Sequence, residues 1–233
     1  MGVPARKSGE RHRKHSVKEK FRYFRFEFLL FALLLTLFDR AFFTDLLFFN
    51  QYVWPTNMFI LSVASYFIFK ERSNWANFFK ALTSLCTIFI PIFFNWITKS
   101  AFLTNLAFSI YLSYYLLILV EILRQIFMRS ESNLSVIFGS ISGYLLMIFV
   151  ANFAFILIEY NSPGSFSQIS NHNISTIYDQ LSYFSMTSIA TVGYGDILPI
   201  SPAARLTTMF FTIAGQFYMV ALVGIIISRF TRR

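Results

Sequence analysis

Six consecutive residues, Thr191-Val192-Gly193-Tyr194-Gly195-Asp196, set a hydroxyl, two alternating glycines and a carboxylate into one short stretch. The chemistry within its reach is the dehydration of a cation: bare main-chain carbonyls stacked in rings can stand in for a cation's water shell. Consecutive carbonyls of an ordinary strand point to alternate sides. Turning them all one way requires alternate residues to leave the usual backbone regions, which glycine does without steric penalty. Val192 and Tyr194 then turn their side chains away from the carbonyl face into packing, and Thr191 adds hydroxyl oxygens at the inner end. A lone G-x-G is only a turn; the six residues together, between a short helical stretch and a long apolar one, are more specific.

The rest of the chain offers little competing chemistry. Cys86 is the single cysteine and lies in an apolar stretch, so neither an intrachain disulfide nor a metal cluster is expected. His12, His15 and His172 have no ligand spacing. Asp39, Arg40, Asp45, Glu121 and Glu159 are the ionisable residues that approach the apolar spans, and they form no catalytic constellation. An enzyme is not expected, and neither a cofactor nor a nucleic-acid partner is implied.

The elements that position the motif belong to a chain of 233 residues, 56% hydrophobic and 13% charged. Soluble domains carry about a quarter charged residues, and runs of about 20 apolar residues mark membrane-spanning helices. Residues 1–20 form a basic tail, read as cytoplasmic, that could grip anionic lipid. No cleavable signal is expected, since no small-residue cleavage site follows a short apolar core. Spans are expected at about 23–43, 53–69, 78–97, 102–127, 135–160 and 202–230. Asp39 and Arg40 interrupt the first, paired with each other or with water, and Pro91 kinks the third. The divisions are the tail, a four-helix membrane region over 21–129, and a pore region over 130–233. With the N-terminus inside, all Lys and Arg except Arg40, Lys99 and Arg205 fall on the inner side. The positive-inside rule then makes the chain multi-pass with both ends cytoplasmic, in a cell membrane. Trp54, Trp75 and Trp96 fall at span ends, where aromatic belts sit. The expected fold is therefore all-α and integral to the membrane, with six transmembrane helices, a re-entrant pore helix and a filter loop.

Immediately before the motif, Thr176-x-x-Asp179 reads as a capping box opening a helix over 177–190. That helix carries Leu181, Tyr183, Phe184 and Ile189 toward its neighbours, and its C-terminal carbonyls favour a cation beyond its end. Asn173-Ile174-Ser175 reads as a glycosylation sequon.

The hexapeptide resembles the selectivity filter of potassium channels, and the resemblance extends over about 134–230. It implies potassium coordination by Thr191, Val192, Gly193, Tyr194 and Gly195, with potassium as the permeant ion and no cofactor. It also implies that Tyr183 and Phe184 form an aromatic cuff against Tyr194, and that Asp196 anchors the outer mouth. Pro199 matches the family's proline after the filter, and Gly215 falls at the hinge of the inner helix. The stretch from Gly215 to Tyr218 is similar to inner helices of bacterial channels of the two-helix pore superfamily. One filter cannot encircle an ion, so the resemblance implies, and ring geometry requires, a homotetramer. There are departures. Ala190 replaces a threonine, and Thr187 stands behind the filter where some bacterial channels have a carboxylate. Leu198 occupies the outer-mouth position where an aromatic ring confers block by external tetraethylammonium through cation–π contact, so weak external block is expected.

The fourth span has no Lys or Arg from Ala101 to Leu123, so a voltage sensor is not expected. Its one charge, Glu121, is three residues from Arg124 and expected to pair with it. With Ser228 to Arg233 ending the last span, no ligand-binding module is expected. Gly215 and Gly224 read either as bends of the last helix or as close-packing positions. Met219, Val223 and Ile227 share one helical face and read either as a hydrophobic constriction or as a lipid-facing stripe. The leading function is thus a voltage-insensitive, potassium-selective channel. The alternative is a non-conducting pore-like subunit or scaffold. A membrane enzyme or secondary transporter is disfavoured, because no inverted repeat is visible.

Overall fold

The computed structural model describes residues 24–43, 45–66, 68, 74–128, 133–169 and 173–231. The basic tail and its expected lipid contact lie outside the described residues. Among the described residues the chain is helical apart from its connections, with no strand beyond one isolated bridge between Phe166 and Pro199.

Helix α1 covers Arg25–Phe42. Its Phe26, Leu29, Ala32, Leu33 and Thr36 recur at three- and four-residue spacing and are buried, the stripe a helix uses to pack on a neighbour. A three-residue helical turn, Leu46–Phe48, and one wide π-type turn, Phe49–Val53, lead into α2, Trp54–Tyr66. Helix α3 is Asn74–Ile92. The kink expected at Pro91 takes the form of a break: the helix continues through Ile92, turns at Phe93 and resumes over Phe94–Ile97. A proline removes the bond its own N–H would make and crowds the carbonyl four residues back, so a nearby interruption is the ordinary consequence. Helix α4, Ala101–Met128, lies within one residue of the expected span at each end.

Helix α5, Asn133–Asn161, is the centre of the chain. Helices α1, α4, α6 (Ile174–Ile189) and α7 (Pro202–Thr231) all pack on it. From Leu145 to Phe153 it is buried at every position, and burial all round is what an apolar helix without a polar face requires. Against α4 it stacks aromatic rings: Tyr115 on Phe149 at 4.8 Å between centroids and Tyr111 on Phe153 at 5.0 Å. Against α1 the approach is close, and a Cβ at Gly139 would lie 3.2 Å from the Phe26 ring.

Among the described residues, stretches of α4, α5 and α7 are long and apolar enough to cross a bilayer unaided: Ala101–Ile126, Leu134–Asn161 and Pro202–Ile225. Helix α1 carries Arg25, Glu27, Asp39 and Arg40 within its 18 residues, and the apolar part of α3, Lys80–Ile92, is shorter.

The expected pairings of the charges within the helices are redrawn. Asp39 and Arg40 do not pair with each other: Asn57 of α2 donates to Asp39 Oδ2 at 2.7 Å, while Arg40 pairs with Asp179 of α6, Nη2 to Oδ2, at 2.8 Å. Glu121 does meet Arg124, at 3.8 Å, but its closer partner is Lys80 of α3, at 3.1 Å with both side chains buried. Neighbours three or four apart on one helix are readable from spacing; a partner on another helix is not.

Candidate functional site

Helix α6 starts differently from its expected capping box. Asn173 is the N-cap, its side chain accepting from the Ser175 N–H at 3.0 Å. Thr176 therefore lies inside the helix, and Asp179 is engaged by Arg40. Asn is as good an N-cap as Ser or Asp because its oxygen reaches the exposed N–H groups of the first turn. The sequon asparagine is thus the residue that closes the helix start. At about 1.5 Å per residue α6 is roughly 24 Å long, short of the ~30 Å hydrocarbon core.

The far end of α6 holds the motif. Thr187 O accepts from the N–H groups of both Val192, at 2.9 Å, and Gly193, at 3.1 Å, while Ser188 O accepts from Thr191 N–H at 3.1 Å. The start of the motif is thereby folded back on the last turn of the helix, with the N–H groups of Thr191, Val192 and Gly193 engaged. The backbone then enters the left-handed region at every second residue: φ is 58° at Thr191, 56° at Gly193 and 80° at Gly195. Two of these are glycines, for which the region carries no steric penalty; Thr191 occupies it at a cost of about 1–3 kcal/mol. Among the described residues, no backbone or side-chain donor reaches a carbonyl between Thr191 and Gly195. The stretch is exposed throughout on the single chain.

The two aromatics of α6 diverge. Tyr183 stacks on Tyr194 with parallel rings 6.3 Å apart. Phe184 turns the other way, into a core cluster with Phe155 at 5.4 Å and Phe166 at 5.3 Å. Of the two, Tyr183 faces the motif and Phe184 fixes α6 to α5. Thr187 uses its hydroxyl within the helix, donating toward Tyr183 O and Phe184 O. Val192 is half exposed on the single chain.

The sequence reading missed a brace at the outer end. Glu159, buried at the end of α5, accepts from the N–H groups of Gly164, at 2.8 Å, and Phe166, at 2.9 Å. The loop so held is joined to the chain beyond the motif: Ser167 N–H donates to Leu198 O at 2.8 Å, Leu198 N–H to Ser167 Oγ at 2.7 Å, and Ile200 N–H to Ser165 O at 2.7 Å. The available signal was the lone carboxylate at the end of an apolar run just before Pro163-Gly164, a turn sequence that presents unpaired N–H groups.

Helix α7 approaches the motif from behind. A Cβ at Gly215 would lie 2.9 Å from Ile189 Cγ2 and 3.3 Å from Ile189 O, so Gly215 is a close-approach position against the end of α6. Gly224 has open space around it. One turn beyond Gly215, Tyr218 donates to Ser140 O of α5 at 2.7 Å. Met219, Val223 and Ile227 are exposed on the single chain.

Comparison with known proteins meets the same segment. Residues 143–232 match the family model described as an ion channel. The chain is 29% identical over 166 residues to the voltage-gated potassium channel Kch of Escherichia coli (strain K12), an alignment covering 71% of this chain and 35% of that protein. It is 44% identical over 62 residues to two-pore potassium channel 1 of Arabidopsis thaliana, covering 27% of this chain and 16% of that protein. The chain thus spans about a third of the length of one relative and a sixth of the other. No solved structure matches. Apolar helices of spanning length and an ion-channel segment containing the 191–196 motif agree that this is a membrane protein, and its residues 143–232 are similar to the pore segments of ion channels, potassium channels among them.

Proposed function

We propose that four copies of this chain form a potassium-selective channel whose filter is Thr191 to Gly195 and whose conduction is passive and voltage-insensitive. The observation that carries the reading is the run of undonated carbonyls over these residues, with the left-handed backbone recurring at 191, 193 and 195. A segment that ties its first three N–H groups to Thr187 O and Ser188 O and leaves its carbonyls bare is suited to receive a cation, because a carbonyl dipole at membrane depth needs some partner. Tyr183, Asp196 and Thr187 support the filter from the side and below, and Phe184 does so by anchoring α6. Met219, Val223 and Ile227 line the inner end of the pore as the gate, with Gly224 free to bend. The ring supplies what one chain lacks: a partner for the bare face of α7 and packing for Val192.

Six spans with both ends on the cytoplasmic side complete the reading, with α6 re-entrant and the N-terminal tail at the surface of anionic lipid in the cell membrane. Voltage insensitivity rests on α4. Between Ala101 and Leu123 it carries Glu121 as its one charge, held by Lys80, whereas each charge moved across the field supplies about 2.3 kcal/mol per 100 mV. Purified channels in a planar bilayer test this part: open probability is expected to stay nearly flat between −100 and +100 mV (about 200 mV of applied range). A steep sigmoid would place gating charge somewhere in the chain and overturn it.

A further inference from the structure

We infer that Arg40 of the first helix is a positioning residue for the filter, acting through Asp179 on the helix from which the filter hangs. The inference rests on the channel reading above and extends it to what the N-terminal helices do for the pore.

Arg40 grips Asp179 Oδ2 with two nitrogens, Nη2 at 2.8 Å and Nε at 3.0 Å. Its remaining nitrogen, Nη1, donates to Phe43 O at 3.2 Å, and the guanidinium lies 4.7 Å from the centroid of the Phe49 ring. All three nitrogens of the guanidinium and one of its faces are therefore engaged, and its planar fork makes the pair directional. Two further contacts join the same elements. Asp39, the preceding residue, accepts from Asn57 of α2 at 2.7 Å, and Asn50 of the π-type turn meets Ser175 at 3.2 Å and 3.3 Å. A polar seam thus runs from α1, α2 and the turn between them to the first half of α6.

Its consequence follows from the stiffness of a helix. Asp179 lies eight residues before Thr187, whose carbonyl ties down the N–H groups of Val192 and Gly193. Over two turns a helix moves as a rod, so a shift at Asp179 is a shift at the filter's inner end. The apolar face of α6, with Ile177, Leu181, Phe184 and Ile189, already fixes the helix sideways against its neighbours. The charged seam fixes its rotation and its height. The pair is also able to open: its side chains are 26% and 30% exposed, and beside it lies a cavity of about 380 Å³ lined by Leu37, Ser182 and Met186 as well as by the pair itself. A sealed core contact has neither exposure nor room, whereas a coupling contact needs both.

The test uses the full chain in planar bilayers, with Arg40→Gln, Asp179→Asn and the exchanged pair Arg40→Asp/Asp179→Arg. Each single variant is expected to shorten open bursts several-fold, and the exchanged pair to recover most of the wild-type duration. Hydrogen exchange at the Val192 and Gly193 amides, read by mass spectrometry, reports the same coupling without any current. It is expected to speed up in the single variants and to slow again in the exchanged pair. A wild-type protein that passes no potassium refutes the channel reading, while the amide readout still decides the coupling. Burst durations and amide exchange that match wild type in the single variants overturn the inference. So does an exchanged pair as impaired as either single, and so does a loss of thermal stability in detergent with filter protection unchanged.

Discussion

Helices α5 and α7 are alike in length and both strongly apolar, with mean hydropathy 2.3 and 1.7, yet 72% of the former's spanning window is buried inside the chain and only 6% of the latter's. The first is a core helix. Its rings stack on α4, its Gly139 admits Phe26, and its Glu159 holds the outer loop. The second packs on α5 and α6 along one side only, where Gly215 meets Ile189, Phe211 meets Phe155 and Tyr218 reaches Ser140, and it leaves Phe210, Phe217 and Val220 exposed. An apolar surface that the chain itself does not cover is satisfied by lipid or by another copy. The contrast teaches that one chain completes its scaffold alone, and on the proposed channel reading the uncovered side of α7 is the surface left for assembly and lipid.

The filter is where the contrast has its largest consequence. Gly195→Ala places a Cβ on a residue at φ 80°, a region that costs an L-residue about 1–2 kcal/mol per copy. Potassium current is expected to disappear while helix content and oligomer size, by circular dichroism and light scattering, stay as in wild type. Next come the two helices themselves. Phe149→Ala removes a ring from the middle of α5 and is expected to cost about 3–5 kcal/mol, seen as a lower melting temperature in detergent. Phe217→Ala on the bare face of α7 is expected to leave the melting of the single chain alone and to weaken the tetramer, read by light scattering on dilution. If the two variants exchange phenotypes, the contrast between the helices is broken.

The contact that ties the two helices together is a smaller and sharper probe. A Cβ at Gly143 would lie 2.2 Å from the Tyr218 hydroxyl oxygen, so Gly143→Ala forces the ring out of its place, at a cost of about 1–3 kcal/mol. Tyr218→Phe removes the hydroxyl and its bond to Ser140 O, about 1 kcal/mol. The double variant is expected to be less impaired than the sum of the two, because the removed oxygen is the atom the new methyl strikes. Strict additivity in a melting series would mean that Tyr218 is not seated there.

Much of this was legible in the sequence because it is written locally. The limits of α4 and α5 follow from apolar length, and alternating glycines in a six-residue motif forecast alternating left-handed backbone. What escaped depends on residues far apart along the chain. Arg40 meets Asp179 across 139 positions and Lys80 meets Glu121 across 41, so pairing each charge with its sequence neighbour was the only local choice, and the wrong one in the first case. The helix start was misplaced by three residues because Thr176 and Asp179 fit a capping pattern as well as Asn173 does; burial and the ion pair decide between them. Gly215 read equally as a bend and as a contact until Ile189 was found against it. Hydropathy, finally, gave no sign that α5 is enclosed by its own chain while α7 is largely uncovered, since both helices are strongly apolar.

The most direct test of the central claim is a bi-ionic reversal potential, with purified wild-type chain in a planar bilayer and potassium on one side opposed by sodium on the other. The account predicts a reversal close to the potassium equilibrium potential, because carbonyl rings at Thr191 to Gly195 replace the hydration of potassium and admit sodium poorly. A reversal near zero, with sodium passing as readily as potassium, would contradict it.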